Sequence, residues 1–369
     1  MNTPSPSSQP LPTHMHAMLT LGHGGYEQLA WRTVPLPVLQ NGEVLLQVLA
    51  AGINNTDINT RVGWYGAGWQ GATAFPLIQG ADCCGRVVAW AVGGAPVCAS
   101  SNAQPRGAAV AAYDGTGQPL AIGQRVLVRS CMRVAGFGSL ATRWLGTDCD
   151  GAFAQYLKAP AREVFAIHSD CDWSDAELAS LPCAWGTAEN MLHRAGVGQG
   201  EQVWVNGASG GVGSAAVQLA LRRGTQVTAL TSRSKRAEVE KLGAHTVLCR
   251  EDSNSTWAQR PPADVVVDNV GGAGFADLLQ RLRRGGRYVS SGAIAGAEVA
   301  LDLRTLYLRD IRLIGCTAWD EAVFPNLLRY IQRHEIRPVV AACYPLQDLV
   351  QAQQDFLAKR HTGKLVLVP

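Results

Sequence analysis

The chain has 369 residues, of which 47% are apolar and 17% charged, and it carries a formal net charge of +3. That length and composition predict a two-domain globular protein with ample core and exclude a disordered chain. The near-balance of charge gives no footing for a nucleic-acid or anionic-membrane partner, and no apolar run approaches the ~20 residues that span a bilayer.

Met1 to Thr13 is rich in Pro and Ser, has no basic residue and no hydrophobic core, and reads as a disordered tail rather than a signal or transit peptide. The ten cysteines form no dense framework, which predicts reduced thiols in a cytoplasmic protein. From His16 to about Ser169 the pattern is short strands between glycine-rich turns, Val44 to Ala50 and Gly123 to Val128 among them. This half reads as a barrel-like β domain without regular helices. Gly94 to Gly151 is long and low in apolar periodicity and reads as a surface lobe.

A helix over Asp175 to Leu181 leads into a different pattern. Val203-Trp204-Val205 is an apolar run. Asn206-Gly207-Ala208-Ser209-Gly210-Gly211 is a glycine-rich turn, and apolar residues then recur at helical spacing at Val212, Ala216, Leu219 and Ala220. Strand, tight turn and helix open a βαβ unit. Glycines there let the backbone approach a pyrophosphate, and the helix N-terminus favours the anion. A strand over Gln226 to Leu230 and a helix over Lys235 to Leu242, stopped by Gly243, follow. Strands over Ala263 to Asp268 and Gly286 to Gly292 continue the alternation. It predicts a doubly wound parallel sheet with ligands beyond the carboxyl ends of its strands. Arg281, Arg283, Arg284 and Arg287 read as the solvated end of a helix before Gly285. Ile311 to Cys316 reads as the last strand of that sheet. Asp320 to Pro369 shows two helical patterns and a strand, Lys364 to Val368, expected to return to the first domain.

Several stretches together resemble the medium-chain dehydrogenase/reductase superfamily. They are Ala51-Gly52-Ile53-Asn54-Asn55-Thr56-Asp57, Gly80-Ala81-Asp82-Cys83-Cys84-Gly85, Gly151-Ala152-Phe153-Ala154-Gln155-Tyr156, the glycine-rich turn, and Gly363-Lys364-Leu365-Val366-Leu367. Within it the chain is most similar to the zinc-free quinone-oxidoreductase-like branch. The resemblance implies an α/β fold: a GroES-like β-barrel catalytic domain, placed at 14–174 and 320–369, plus a Rossmann doubly wound parallel sheet at 175–319. Zinc alcohol dehydrogenases of the superfamily hold catalytic zinc at positions that match Asn54, Ala81 and Cys183. Alanine has no donor atom and an Asn amide is a poor zinc ligand. The structural zinc needs four closely spaced cysteines, and Cys98, Cys131 and Cys149 are far apart. No metal is expected.

An acidic residue after the second strand would hold the ribose of NAD, and a basic one accommodates the phosphate of NADP. Ser232-Arg233-Ser234-Lys235-Arg236 has three cations and no carboxylate, so NADP is expected. The expected cofactor contacts are Thr187, Ser209, Gly210, Gly211, Val212, Ser232, Arg233, Lys235, Asn269, Val270, Ser291, Gly292, Ala293 and Lys364. Without a metal, hydrogen-bond donors must polarise the substrate oxygen. The candidates are Asn54, Thr56 and Tyr65. Asn54 and Tyr65 match pocket residues of the branch, Thr56 matches the hydroxyl that relays a proton in the zinc enzymes, and the branch's second pocket Tyr falls at Asn59. Asp57 is expected to hold its turn or to pair with Arg61. Trp64, Trp69 and Trp185 are candidates to line a flat apolar pocket. The resulting expectation is an NADPH-dependent quinone or enone reductase. A zinc-free alcohol dehydrogenase or carbonyl reductase and a non-catalytic NADPH-binding protein of crystallin type are the alternatives. An apolar last strand at a sheet edge invites pairing, so a homodimer through it is expected.

Overall fold

The computed structural model describes residues 10–66, 73–92, 95–98 and 112–369. The first nine residues of the expected tail, Trp69 and part of the expected lobe lie outside them. The chain divides into two units, one comprising Met1–Cys183, Ala342–Lys359 and Leu365–Pro369, the other Ala184–Ala341 and Arg360–Lys364.

The first unit opens with β1 (His14–Thr20), which pairs antiparallel with β2 (Leu29–Pro35). β3 (Glu43–Gly52) is its centre. Val44, Leu45, Leu46, Val48, Ala50 and Ala51 are all buried, on both faces of the strand. α1 (Asn55–Val62) follows directly, a helix within the half expected to have none. Its local signal is short: one Asn cap, one acidic residue at the third helical position and a terminal Gly. Next come β4 (Leu77–Ile78), β5 (Cys84–Val92), β6 (Ala95–Cys98), β7 (Arg125–Val128), β8 (Cys131–Arg133), β9 (Thr142–Trp144), β10 (Tyr156–Pro160) and β11 (Val164–Ala166). The expected lobe is corrected here: Ala112, Leu120, Val126, Val128, Met132 and Leu145 are buried in the same core as β3. Strands this short alternate too few times to show a period, so the sequence pattern hides them. α2 (Asp175–Ala179) and the start of α3 (Pro182–Arg194) complete the run.

The second unit is built on β12 (Gln202–Asn206), α4 (Gly211–Arg222), β13 (Gln226–Thr231), α5 (Arg236–Glu240), β14 (Thr246–Cys249), α6 (Asn254–Ala258), β15 (Ala263–Asp268), α7 (Phe275–Arg281), β16 (Leu282–Ser290), α8 (Leu303–Leu308), β17 (Arg312–Gly315) and α9 (Val323–Gln332). Its six strands lie in the order β14-β13-β12-β15-β16-β17. All five pairings are parallel. This is the doubly wound dinucleotide order, with its switch point between β12 and β15. The arginine cluster is corrected. α7 stops at Arg281 and a strand begins at once, where Arg283 pairs with Asp264, Arg284 with Asp310 and Arg287 with Glu201.

The expected domain boundary at 320 is also corrected, because 320–341 belongs to the second unit. α9 buries Val323, Phe324, Leu327, Tyr330 and Ile331, and Tyr330 receives the Arg222 guanidinium at 3.5 Å. The amphipathic stripe therefore packs within this unit. β18 (Val340–Pro345), absent from the sequence reading, α10 (Leu349–Leu357) and β19 (Lys364–Val368) close the chain. β19 pairs with β3 through Val366 opposite Gly52, as the return of the last strand required. No helix among the described residues is long and apolar enough to cross a membrane.

Candidate active site

In the first unit the site is organised by the turn between β3 and α1. The Asn54 N–H donates to the Asp57 carboxylate at 2.7 Å, so Asp57, 1% exposed, holds the turn. Gln79 adds a second brace by donating to the Asp57 carbonyl at 2.7 Å. Arg61 donates instead to the Gly24 carbonyl and to Gln353. α1 ends at Gly63 with φ +74°, a left-handed cap that reverses the chain. The reversal brings Tyr65 back over the helix. Its hydroxyl donates to Thr56 Oγ1 at 3.2 Å and lies 3.5 Å from Asn59 Nδ2. Although 42% of Tyr65 is exposed, burial of its hydroxyl end raises its pKa above the usual phenol value, partly offset by the Thr56 and Asn59 hydrogen bonds. The phenol therefore stays protonated at neutral pH. Thr56 and Tyr65 are thus adjacent, with Asn59 in contact where the branch's second Tyr was sought.

Asn54 has a different setting. Its Nδ2 donates to Asp82 Oδ2 at 2.9 Å and to the Gly52 carbonyl at 3.3 Å. The other Asp82 oxygen accepts the backbone N–H of Cys183 at 2.6 Å, at the start of α3. A carboxylate suits a helix N-terminus. Asp82 is fully buried and was missed as a site residue; its place directly after Ala81 was the available signal. Zinc does not fit these three positions as they stand. Ala81 offers a methyl group and the Asn54 amide is committed to Asp82, which leaves the Cys183 thiol alone, and one thiolate does not make a catalytic zinc site. Among the described residues no group of three His, Cys, Asp or Glu side chains is placed to hold a metal. Of the tryptophans, Trp64 is 51% exposed whereas Trp185 is buried core. Trp185 is therefore corrected: it is not a pocket wall.

In the second unit the glycine-rich turn joins β12 to α4. A Cβ on Gly213 would lie 2.1 Å from the Gly207 carbonyl oxygen, so only glycine lets the helix approach its strand. The Ser209 carbonyl accepts the N–H of Gly363 at 2.9 Å, and the buried Lys364 lies along Gly211. Val212 sits half-buried in the first turn of α4, and Thr187 half-buried on α3. At the carboxyl ends of β15 and β16, Asn269 Oδ1 accepts both the N–H and the hydroxyl of Ser291 at 3.0 Å. Val270, Gly292 and Ala293 lie on the two loops so joined. Asp268, Asn206 and Tyr288 form a buried network beneath them that sequence reasoning missed.

After β13, Ser232 and Ser234 hydroxyls lie 3.1 Å apart. The segment itself lacks a carboxylate, but the fold brings two to it. Glu251 accepts the Arg233 N–H at 3.1 Å, and Asp252 pairs with the Arg233 guanidinium at 2.9 Å. Lys235 Nζ donates to the His361 carbonyl at 2.6 Å, and Arg236 pairs with Glu240. Desolvation lowers the Lys235 pKa, with Glu238 opposing and Arg250 adding to it. This corner therefore combines the three cations of the segment with Glu251 and Asp252 at Arg233 and Glu240 at Arg236.

Two family models match the chain: "Alcohol dehydrogenase GroES-like domain" over residues 40–169 and "Zinc-binding dehydrogenase" over 211–333. A solved structure of a candidate alcohol dehydrogenase from Sinorhizobium meliloti is 40% identical, with a TM-score of 0.85 over 97% of this chain and 98% of that one. A mycobacterial protein solved in complex with NADPH is 25% identical, with a TM-score of 0.76 over 96% of this chain and 100% of its own. Acryloyl-coenzyme A reductase of Metallosphaera sedula is 28% identical over 96% of this chain and 99% of its own length. Quinone oxidoreductase of Mus musculus is 25% identical over 96% and 98% respectively.

Proposed function

Because the chain belongs to the medium-chain dehydrogenase/reductase superfamily, we propose that it is a zinc-independent, NADPH-dependent oxidoreductase that transfers hydride to a quinone or another conjugated carbonyl compound. The observation that carries this reading is the Asp82 clamp. It occupies the Asn54 amide and holds the Cys183 backbone, beside a methyl group at Ala81, so that one thiol is all the metal positions retain. Stabilisation of a developing oxyanion then falls to the Thr56–Tyr65 hydroxyl pair. Asn54 becomes a positioning residue in this reading rather than a donor to substrate.

Neutral hydroxyls suit a conjugated acceptor. In an enone or quinone, hydride adds to a carbon remote from the oxygen, and the displaced electron pair spreads over the conjugated system before resting on oxygen. A simple ketone concentrates that charge and needs a stronger electrophile. Thr56 donates to the oxygen, and Tyr65, protonated at neutral pH, stands behind it to replace the proton. Bound to the second unit, NADPH would supply the hydride. The residues there fit such a group: a glycine-lined helix N-terminus for the pyrophosphate, and Ser232, Arg233 and Lys235 for the ribose phosphate. The relatives named for acryloyl-coenzyme A and for quinone support a conjugated acceptor, and the NADPH-bound structure supports the cofactor. A cytoplasmic homodimer completes the reading.

The Sinorhizobium relative favours a second reading, a zinc-free alcohol dehydrogenase or carbonyl reductase. Oxidation of NADPH against a panel of quinones, enones and aldehydes decides between them. Turnover confined to aldehydes supports the second reading, and no turnover with any acceptor points to a non-catalytic NADPH-binding protein.

A further inference from the structure

At the switch point of the parallel sheet lies a fully buried carboxylate, Asp268. It stands at the end of β15 and accepts four groups. Asn206 Nδ2, from the end of β12, donates at 2.9 Å; the N–H groups of Val270 and Gly271 donate at 2.7 and 3.3 Å; and the Tyr288 hydroxyl, from β16, donates to the other oxygen. Burial raises the Tyr288 pKa, and the charge of Asp268 adds to it, so the phenol remains a donor. The carboxylate thus ties three adjacent strand ends to one turn, Asn269-Val270-Gly271. Asn269 passes the tie on, because its Oδ1 holds the N–H and hydroxyl of Ser291 on the next loop.

We propose that Asp268 and Tyr288 are positioning residues for the nicotinamide half of the cofactor, acting through the Val270 and Ser291 loops that they hold in register. This rests on the assignment of a nicotinamide dinucleotide to the second unit. Asn269 then touches no cofactor through its side-chain oxygen, which Ser291 occupies. The adenosine corner, at Ser232 to Lys235, is built on the far side of β12 in the strand order and shares none of these bonds.

The two halves of the cofactor separate the proposal from a general loss of structure. Tyr288→Phe keeps the ring, which packs edge-on against Phe275 at 5.1 Å, and removes one hydrogen bond to a buried charge. Losing such a bond changes the energy enough for roughly a tenfold fall in kcat/KM for NADPH. Asp268→Asn, which turns an NH2 donor toward groups that themselves donate, is expected to do more. Titration of 2′,5′-ADP, which carries the adenosine half alone, is expected to give an unchanged dissociation constant in both variants. If Asp268→Asn does not fold, Tyr288→Phe carries the test alone. Equal losses for NADPH and 2′,5′-ADP in Tyr288→Phe, or no loss for NADPH, would overturn the proposal. A wild-type protein that ignores 2′,5′-ADP but uses NADH overturns the phosphate assignment only; 5′-ADP then replaces the probe and the comparison runs unchanged.

Discussion

Replacing Arg233 tests the cofactor assignment where the structure makes the arithmetic specific. The guanidinium is 64% exposed and pairs with Asp252 at 2.9 Å. An exposed pair of this kind contributes about 0.2–1 kcal/mol, so its loss leaves the fold intact. A charge-assisted hydrogen bond to a phosphate contributes about 1.5–3 kcal/mol, and solvent at this rim favours the lower end. Binding the phosphate means leaving Asp252, so the net gain from Arg233 is about 1 kcal/mol, or roughly fivefold in affinity. Arg233→Gln is therefore expected to raise the NADPH Michaelis constant about fivefold. Arg233→Asp places a third carboxylate beside Glu251 and Asp252, and about tenfold or more is expected from the added repulsion. NADH kinetics should change little or improve, since an acceptor for the ribose hydroxyl has been added. The opposite sign is expected for Asp252→Asn: it releases Arg233, and the NADPH constant should fall by up to about fivefold. Steady-state kinetics with both cofactors at one ionic strength measure all three. Unchanged NADPH constants in both Arg233 variants would remove the residue from the site. A wild-type preference for NADH would refute the NADP assignment itself.

Elemental analysis of the purified protein should find no stoichiometric zinc, and activity should survive chelation; near-stoichiometric zinc with chelator-sensitive turnover contradicts the metal-free reading. A homodimer is expected from light scattering at micromolar concentration, because the edge strand β17 leaves Leu313 42% exposed beside the 62% and 61% exposed Tyr307 and Leu308 of α8; a monomer sinks it. Gly213→Ala should cost about 1–3 kcal/mol in thermal or denaturant unfolding and weaken cofactor binding, since its Cβ meets the Gly207 carbonyl oxygen at 2.1 Å. The raised Tyr65 pKa means that the protonated donor persists as pH rises, so reductive kcat/KM should show no alkaline fall from this group below about pH 10. A Tyr65→Phe variant that keeps the wild-type rate would remove the phenol from the proton path.

The nucleotide unit was legible because each of its signals is local. A buried parallel strand reads as an apolar run, the tight turn after it as glycines, and the following helix as a 3.6 period, so β12, α4, β13 and β15 fall where the pattern puts them. The first unit was less legible in detail. Its strands β8, β9 and β11 have three residues each, too few for a period, and α1 is specified by its caps rather than by a hydrophobic face. The site was partly legible for the same reason. Thr56 and Tyr65 could be named, but their contact depends on the chain reversal at Gly63. Charges contributed by other strands were invisible. Glu251 and Asp252 lie 18 and 19 residues from Arg233, and only the parallel pairing of β13 with β14 brings them beside it.

In the proposed metal-free reading, the Asp82 clamp gives the site its shape. A zinc ion at these positions would join the turn after β3, the loop before β5 and the start of α3 through its ligands. Here one buried carboxylate makes the same three-way connection: it belongs to the loop, accepts the Asn54 amide from the turn, and accepts the Cys183 N–H from α3. The close approach is built into the backbone, since a Cβ on Gly52 would lie 2.4 Å from Asp82 Oδ2. A buried carboxylate that receives N–H donors on both oxygens is a strong organiser because leaving any donor unpaired carries a desolvation cost of about 1–3 kcal/mol. What it lacks is a vacant coordination position and a net positive charge. It can hold a pocket in shape, but it offers nothing electrophilic to a carbonyl oxygen. In the proposed reaction the electrophilic part of the task therefore falls to the hydroxyl donors, and that is the reason for proposing an acceptor whose developing charge is delocalised.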